Sequence, residues 1–150
     1  MIPIKSRVEI DKIREAGIIL AKIAENLKKN IKVGITTAEL DGIAEKEFSC
    51  HGAISAFKGY RGFPANICTS LNEEVVHGIP GERKLKEEDI LSLDLGIKID
   101  GYYADMAFTQ PVKETTNRMK EFIEVCQESL ARGIKECRRR AAKSRCISTI

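Results

Sequence analysis

Two aspartates interrupt a stretch that otherwise reads as a β-hairpin. The stretch LSLDLGIKIDGYYADMAFT, residues 91–109, alternates apolar residues with small or polar ones and carries Asp94 and Asp105 on its two arms. Aspartate is a poor strand former, and burying its charge unpaired costs free energy. The pair therefore raises the question of what neutralises two acidic side chains on neighbouring strands.

The dipeptide Asp100-Gly101 sets the register of this predicted hairpin. It is typical of a two-residue type I′ turn, which would pair Ile99 with Tyr102. Because side chains alternate between the faces of a strand, one face then carries the apolar residues and the other carries both aspartates. On that polar face the two aspartates are diagonal neighbours, with Cβ atoms roughly 6–8 Å apart.

Two carboxylates at this separation repel each other unless a proton or a cation lies between them. Oxygen ligands that converge from a rigid hairpin suit hard or borderline divalent cations. The hairpin alone leaves two interpretations open: a divalent metal site, or a solvated polar face with exposed aspartates. A turn longer by one residue would place the aspartates on opposite faces and remove the argument for a metal.

Helices are predicted on both sides of the hairpin. Ser6-x-x-Glu9 and Thr36-x-x-Glu39 are capping boxes, each followed by apolar residues at helical spacing. They predict a long amphipathic helix that ends before Val33 and a shorter one that closes near His51. A third helix is predicted after the hairpin, capped by Thr115 and with one apolar face made of Met119, Phe122, Cys126 and Leu130. The order of elements predicts an α+β fold with helices covering one face of an antiparallel sheet.

The segment between the second helix and the hairpin is the predicted loop region. Residues 56–82, AFKGYRGFPANICTSLNEEVVHGIPGE, are rich in glycine, proline and asparagine. The pattern predicts short strands around residues 67–70 and 74–77, joined by loops. Loops held on a scaffold commonly carry function.

Composition predicts a globular protein of the cytoplasm. No apolar run approaches the roughly 20 residues of a membrane span, and the N-terminus lacks the order of a signal peptide, so no membrane partner is expected. The five cysteines are odd in number and show no CxxC pair. They predict reduced thiols, and they indicate neither a zinc ribbon nor a disulfide framework.

The net charge of +3 is concentrated near the C-terminus. From Arg132 onward seven basic residues accompany one acid, a local charge of +6 that leaves −3 over residues 1–131. No specific nucleic-acid partner is therefore expected. These basic residues form a C-terminal tail. Contact of residues 138–145 with ribosomal RNA is an alternative, but no aromatic residues accompany the charge, which favours a solvated tail.

Two stretches together resemble the type I methionine aminopeptidases, a family with the pita-bread fold. They are GYRGFPANICTSLNEEVVHGIP and DILSLDLGIKIDGYYADMAFT, and the likeness covers most of residues 5–135. The combination is specific: Asn-Glu-x-Val-x-His-Gly-Ile-Pro precedes two aspartates that stand eleven residues apart. The resemblance implies that this chain forms the N-terminal half of a pita-bread fold. It also implies an N-terminal lobe over residues 1–136, followed by a basic, non-native or disordered tail over 137–150.

The resemblance also implies roles for individual residues. Asp94 corresponds to the bidentate ligand of one metal ion, and Asp105 to the aspartate that bridges two ions, which could be manganese, iron, cobalt or zinc. His77 corresponds to the histidine that approaches the scissile amide and stabilises the reacting centre. The positions that line the methionine pocket are Tyr60, Phe63 and Cys68, with Phe57 beside them. Aromatic and sulfur-containing surface suits an unbranched thioether.

The implied reaction removes the N-terminal methionine. In the family, two divalent ions activate a water that attacks the carbonyl of that methionine. The implied partners are peptides and nascent chains that begin with methionine, which suggests proximity to the ribosome. Small side chains are favoured at the second position.

One departure from the family limits this expectation. The family completes its metal site with one histidine and two glutamates from a second half, whereas no histidine follows His77 and the sequence ends at Ile150. We expect a chain that lacks the C-terminal ligands and is weakly active or inactive alone, with CRRRAAKSRCISTI introduced by a frame change or gene truncation. The alternative is a non-catalytic pita-bread-like binding module or a truncated fragment.

Overall fold

Each predicted capping box begins a helix in the computed structural model, which describes residues 3–136. At the start of α1 (Arg7–Asn30), the backbone N–H of Glu9 donates to Ser6 Oγ and that of Ser6 donates to the Glu9 carboxylate. Thr36 and Glu39 make the same reciprocal bonds at the start of α2 (Thr37–Cys50). As the sequence predicts, α1 ends before Val33 and α2 ends next to His51.

Four antiparallel strands form one sheet around a central hairpin. They are β1 (Ile54–Ser55), β2 (Ile67–Leu71), β3 (Ile90–Ile99) and β4 (Tyr102–Pro111). β4 pairs along one edge of β3, while β1 and β2 share the other edge. β1 pairs near the C-terminal end of β3 and β2 near its N-terminal end, so β3 holds the sheet together.

The register of the hairpin is the one predicted from its turn. Asp100 and Gly101 have φ values of 49° and 85°, and a type I′ turn requires positive φ at both positions. Ile99 pairs with Tyr102, and Asp105 lies opposite Gly96. Both aspartates therefore lie on one face of the sheet.

The helices α1 and α2 cover the other face of the sheet. A continuous core joins apolar side chains of both helices to those of β2 and β3. The fully buried members include Leu20, Ile23, Leu27, Leu40, Phe48, Ile67, Leu91, Leu93, Leu95 and Ile97. This arrangement confirms the predicted α+β fold, with helices on one face of an antiparallel sheet.

The chain divides into two compact units between Glu114 and Thr115. The elements above belong to the first unit, and α3 (Asn117–Glu136) belongs to the second. The third helix is capped by Thr116 rather than by the predicted Thr115, because Thr116 Oγ1 accepts the backbone N–H of Met119 at 3.3 Å. The single lobe over residues 1–136 stays a prediction, and the predicted tail at 137–150 lies outside the described residues.

The second predicted strand of the loop region, residues 74–77, is wrong: these residues form a loop. Asn72 and His77 bend the backbone with φ values of 55° and 61°. Glu74 folds back on β2, because its backbone N–H donates to the Leu71 carbonyl and its carboxylate accepts the Leu71 N–H. These contacts override the strand propensity of two valines, which are left exposed.

The structure describes three of the five cysteines and the helices that could be compared with a membrane span. Cys50, Cys68 and Cys126 are free thiols, while Cys137 and Cys146 lie outside the described residues. Within the described part of the chain, no helix combines the length and the apolar character needed to cross a bilayer.

Asp89 links the loop after β2 to the start of β3. It is 4% exposed, and its carboxylate accepts hydrogen bonds from the Asn72 side chain and the Lys86 backbone, both at 2.9 Å. Burial raises the pKa of this carboxyl, but the two hydrogen bonds and the positive charges of Arg83 and Lys86 together outweigh burial and hold the pKa below its ordinary value of 3.8.

We expect Asp89→Asn to destabilise the protein by about 1–3 kcal/mol at neutral pH, because one of the two accepting oxygens becomes a donor. Since the folded state holds the carboxyl's pKa low, this contribution is complete well above pH 3.8 and is lost as the pH falls through the folded value. Urea unfolding between pH 2.5 and 7 measures the difference from wild type. The exposed neighbour provides a control, Glu88→Gln, which should leave stability unchanged; a pH-independent deficit in Asp89→Asn would contradict the prediction.

Candidate functional site

One cavity of about 770 Å³ in the first unit collects all of the predicted site residues. They come from three stretches that are distant in sequence: the loop around the 3₁₀ turn Tyr60–Gly62, β2 with the loop that follows it, and the hairpin. The predicted residues that line it are Phe57, Tyr60, Phe63, Cys68, His77, Asp94 and Asp105. The fold thus brings together the set chosen from the sequence, whereas the role of each residue stays a prediction.

The two aspartates face this cavity from β3 and β4. Oδ1 of Asp94 is buried and has no hydrogen-bond partner among residues 3–136. Burial raises the pKa of Asp94, and the negative charge of Asp105 raises it further, while His77 partly offsets both. The repulsion inferred from the register is therefore present, and a cation would relieve both the burial cost and the repulsion.

A divalent cation fits these two carboxylates but needs further ligands. Among the residues that the structure describes, no group of three or more histidine, cysteine or acidic side chains is placed to hold a metal. Divalent ions such as Mg²⁺ and Ca²⁺ take six or more oxygen ligands, and zinc takes at least four. Asp94 and Asp105 therefore form part of a coordination shell, which water, substrate or residues beyond 3–136 would complete.

His77 reaches the cavity from a loop that is fastened to β2. Its backbone is left-handed, with φ of 61°. The next residue, Gly78, donates its N–H to Ser70 Oγ at 3.1 Å and accepts the Thr69 N–H at 2.8 Å. A Cβ atom at Gly78 would lie 2.2 Å from the Thr69 carbonyl oxygen. Only glycine allows this close approach, which fixes the position of the His77 backbone and so the point from which its side chain extends.

Aromatic rings and a protonated thiol form the apolar wall of the cavity. The Phe57 ring lies against Gly96, where a Cβ atom would come within 2.5 Å of the ring. Cys68 is 4% exposed, and burial, followed by the charges of Asp94 and Asp105, raises the pKa of its thiol to about 11. The thiol therefore stays protonated at neutral pH and behaves as an apolar wall rather than as a nucleophile or a thiolate ligand.

The sequence reasoning missed Asp41, which positions the start of β2. Its carboxylate accepts the Asn66 and Ile67 backbone N–H groups, at 2.8 and 3.0 Å, and the Asn66 side chain at 2.8 Å. These bonds anchor the strand that carries Cys68. A polar residue on the half-buried side of α2 was the available signal, but its partners lie 25 and 26 positions away.

Ser70, Arg61 and Tyr103 were also missed. Ser70 lies two positions after Cys68, so strand alternation places it on the same face, where it binds the loop of His77. Arg61 and Tyr103 line the cavity. Tyr103 shares a face with Asp105 by the same alternation, whereas Arg61 lies in a turn whose shape the sequence did not predict.

Comparison with known proteins places these residues in a family context. The profile of Metallopeptidase family M24 matches residues 11–146. The chain is 51% identical over 138 residues to methionine aminopeptidase 1 of Bacillus subtilis, covering 92% of this chain and 56% of that protein. The structure is similar to those of methionine aminopeptidases from Rickettsia prowazekii and Thermotoga maritima, with TM-scores of 0.87 and 0.86 and identities of 34% and 40%. The matches cover 89% and 90% of this chain and 54% and 55% of those chains. The chain thus spans about half the length of the relatives it matches, and its fold is the N-terminal half of a pita-bread fold.

Proposed function

Because this chain belongs to Metallopeptidase family M24, we propose that the protein removes the N-terminal methionine from peptides and nascent proteins. The observation that carries the proposal is the shared cavity, in which two carboxylates and an imidazole adjoin an aromatic and thiol wall. The methionine aminopeptidases that this chain resembles support the same substrate. Nascent chains expose their N-terminal methionine at the ribosome, so we place the reaction there, in the cytoplasm.

Asp94 and Asp105 would hold the divalent metal, as one ion or as a pair of manganese, iron, cobalt or zinc ions. When bound, such ions supply Lewis acidity and an activated water. The buried, unpartnered oxygen of Asp94 supports this assignment, because it is a carboxylate oxygen that no protein donor in residues 3–136 satisfies. The chain's own contribution is to hold two negative charges close together on a rigid hairpin.

The apolar wall would bind the methionine side chain. Phe57, Tyr60 and Phe63 offer aromatic surface, and Cys68 adds a neutral sulfur. A thioether gains favourable contacts with such surface and needs no charged partner. His77 faces the same cavity and would approach the amide bond that follows the methionine, where it can stabilise the reacting centre.

A non-catalytic binding module is the second candidate. It is favoured by the small number of metal ligands, since residues 3–136 bring only two acidic side chains to the cavity and no larger metal-binding group. Such a module would use the same wall to bind chains that begin with methionine, without cleaving them.

Release of methionine from Met-Gly-Ser in the presence of manganese or cobalt tests the first proposal. We expect metal-dependent release that falls about tenfold in Phe63→Ala, because a buried aromatic wall contributes more than 1 kcal/mol to binding an apolar side chain. Phe122→Ala in α3 removes the same ring from a residue that does not line the cavity, and it should not change the rate. Binding of the peptide without release under every metal would favour the binding module. A chain that neither binds nor cleaves it would contradict both.

A further inference from the structure

Two cations lie over two tyrosines at the rim of the cavity. The Arg61 guanidinium is 5.5 Å from the centre of the Tyr60 ring, and the Lys98 ammonium is 5.4 Å from that of Tyr103. Both tyrosines line the cavity, yet they are 65% and 57% exposed. They therefore form its outer edge, and each ring holds a cation there by a cation–π interaction.

These rim cations have no acidic partner within residues 3–136, since neither takes part in an ion pair. Two basic residues near the same loops differ in this respect. Lys58, close to the same loop in sequence, pairs with Glu45 at 2.8 Å, and Arg83 pairs with Glu74 at 3.1 Å. The charges of the rim are thus available to a bound molecule.

The position of Tyr103 and Lys98 matches an extended peptide whose first residue lies at the aspartates. Tyr103 precedes Asp105 by two positions on the same face of β4, a separation of roughly 7 Å between Cα atoms. An extended peptide advances roughly 3.3 Å per residue, so its third and fourth residues lie roughly 7 and 10 Å beyond its first. Lys98, directly across from Tyr103, is within the same range.

We propose that Arg61 and Lys98 form a subsite that selects substrates with aspartate or glutamate at the third position. The inference rests on the proposed function, because it assumes that a peptide beginning with methionine occupies the cavity. The methionine wall and the aspartates bind the first residue, while the rim cations recognise a downstream carboxylate. Arg61 and Lys98 are specificity-determining residues that do not touch the reacting bond.

Binding of a matched set of peptides tests this inference. The set is Met-Gly-Asp-Ser, Met-Gly-Asn-Ser, Met-Gly-Lys-Ser and Ala-Gly-Asn-Ser, with amidated C-termini so that the aspartate supplies the only carboxylate. A CH₂ group replaces the first carbonyl in each, so that the first bond cannot be hydrolysed. Isothermal titration with the full chain, at one fixed manganese concentration, gives the dissociation constants.

We expect aspartate at the third position to bind about five- to tenfold more tightly than asparagine, since two partly exposed charge contacts each contribute about threefold. The preference should fall to about threefold in Arg61→Ser or Lys98→Gln and disappear in the double variant. It should also shrink between 0.05 and 0.5 M salt, because salt screens exposed charges.

Lys12→Gln is the matched control. Lys12 makes the same kind of contact with Tyr102, at 5.5 Å. Strand alternation points Tyr102 to the opposite face from Tyr103, so this variant should keep the full preference for aspartate.

The outcomes distinguish failure of the rim subsite from failure of the proposed function. Equal affinity for the aspartate and asparagine peptides, or a preference that survives in the double variant, overturns the rim subsite. If methionine is still preferred over alanine at the first position, the proposed function stands. Loss of that preference for methionine overturns both.

Discussion

Replacing Asp94 with asparagine is expected to make the metal-free protein more stable while weakening its binding of divalent cations. The buried oxygen of Asp94 has no partner in the described part of the chain, and Asp105 repels its charge. Removing that charge relieves an unfavourable burial, which we expect to add ~1 kcal/mol to the free energy of unfolding. The same change removes one of two carboxylate ligands, so affinity for manganese should fall by about tenfold or more.

Metal binding can be followed by NMR through the histidine signals, and stability by thermal unfolding. Its two histidines are His51 and His77, and only the latter lines the cavity. Paramagnetic manganese bound at the aspartates should broaden the imidazole proton signals of His77 and spare those of His51. In Asp94→Asn this selective broadening should vanish, while thermal unfolding without metal shifts to higher temperature.

Asp100→Asn provides the control for Asp94→Asn. Asp100 lies in the exposed turn of the same hairpin, and asparagine tolerates its left-handed backbone. It should change neither the manganese effect nor the stability. A destabilised Asp94→Asn that still shows selective broadening would contradict the assignment of Asp94 as a ligand.

Adding a methyl group at Gly78 is the second change with a large expected effect. The new Cβ atom would meet the Thr69 carbonyl oxygen at 2.2 Å, so the loop must move away from β2. The move breaks the hydrogen bonds to Ser70 and Thr69 and releases His77 from its left-handed conformation. We expect Gly78→Ala to lose about 1–3 kcal/mol of stability and to displace the His77 imidazole.

Gly81→Ala is the matched control for Gly78→Ala. Gly81 lies in the same loop, and a Cβ atom there would meet no other atom within 4 Å. The chemical shifts of His77 should change in Gly78→Ala and stay unchanged in Gly81→Ala, with His51 as internal reference in both. Methionine release should fall with the displacement of His77. A Gly78→Ala protein with wild-type stability and wild-type His77 shifts would show that the loop is not fastened as described.

The loop around His77 also shows where local sequence signals fail. Val75 and Val76 favour a strand by propensity, but the loop is held by bonds between Gly78 and β2 and by Glu74 folding back on Leu71. The role of Asp41 was not predictable from the sequence for the same reason, because its partners Asn66 and Ile67 lie 25 and 26 positions away, at the start of β2. Both features depend on contacts that form only when separate elements meet.

Interactions between residues close together in the chain specify the helix starts and the hairpin register. A capping box is completed within three residues, and the Asp100-Gly101 turn carries its own backbone preference, so neither needs a distant partner. That register already placed Asp94 and Asp105 on one face. That this face forms the floor of a cavity follows from packing between distant elements, since the remaining lining comes from β2 and from loops held by long-range hydrogen bonds and close packing. Local interactions select the elements, whereas the chemistry of the site comes from where packing brings them together.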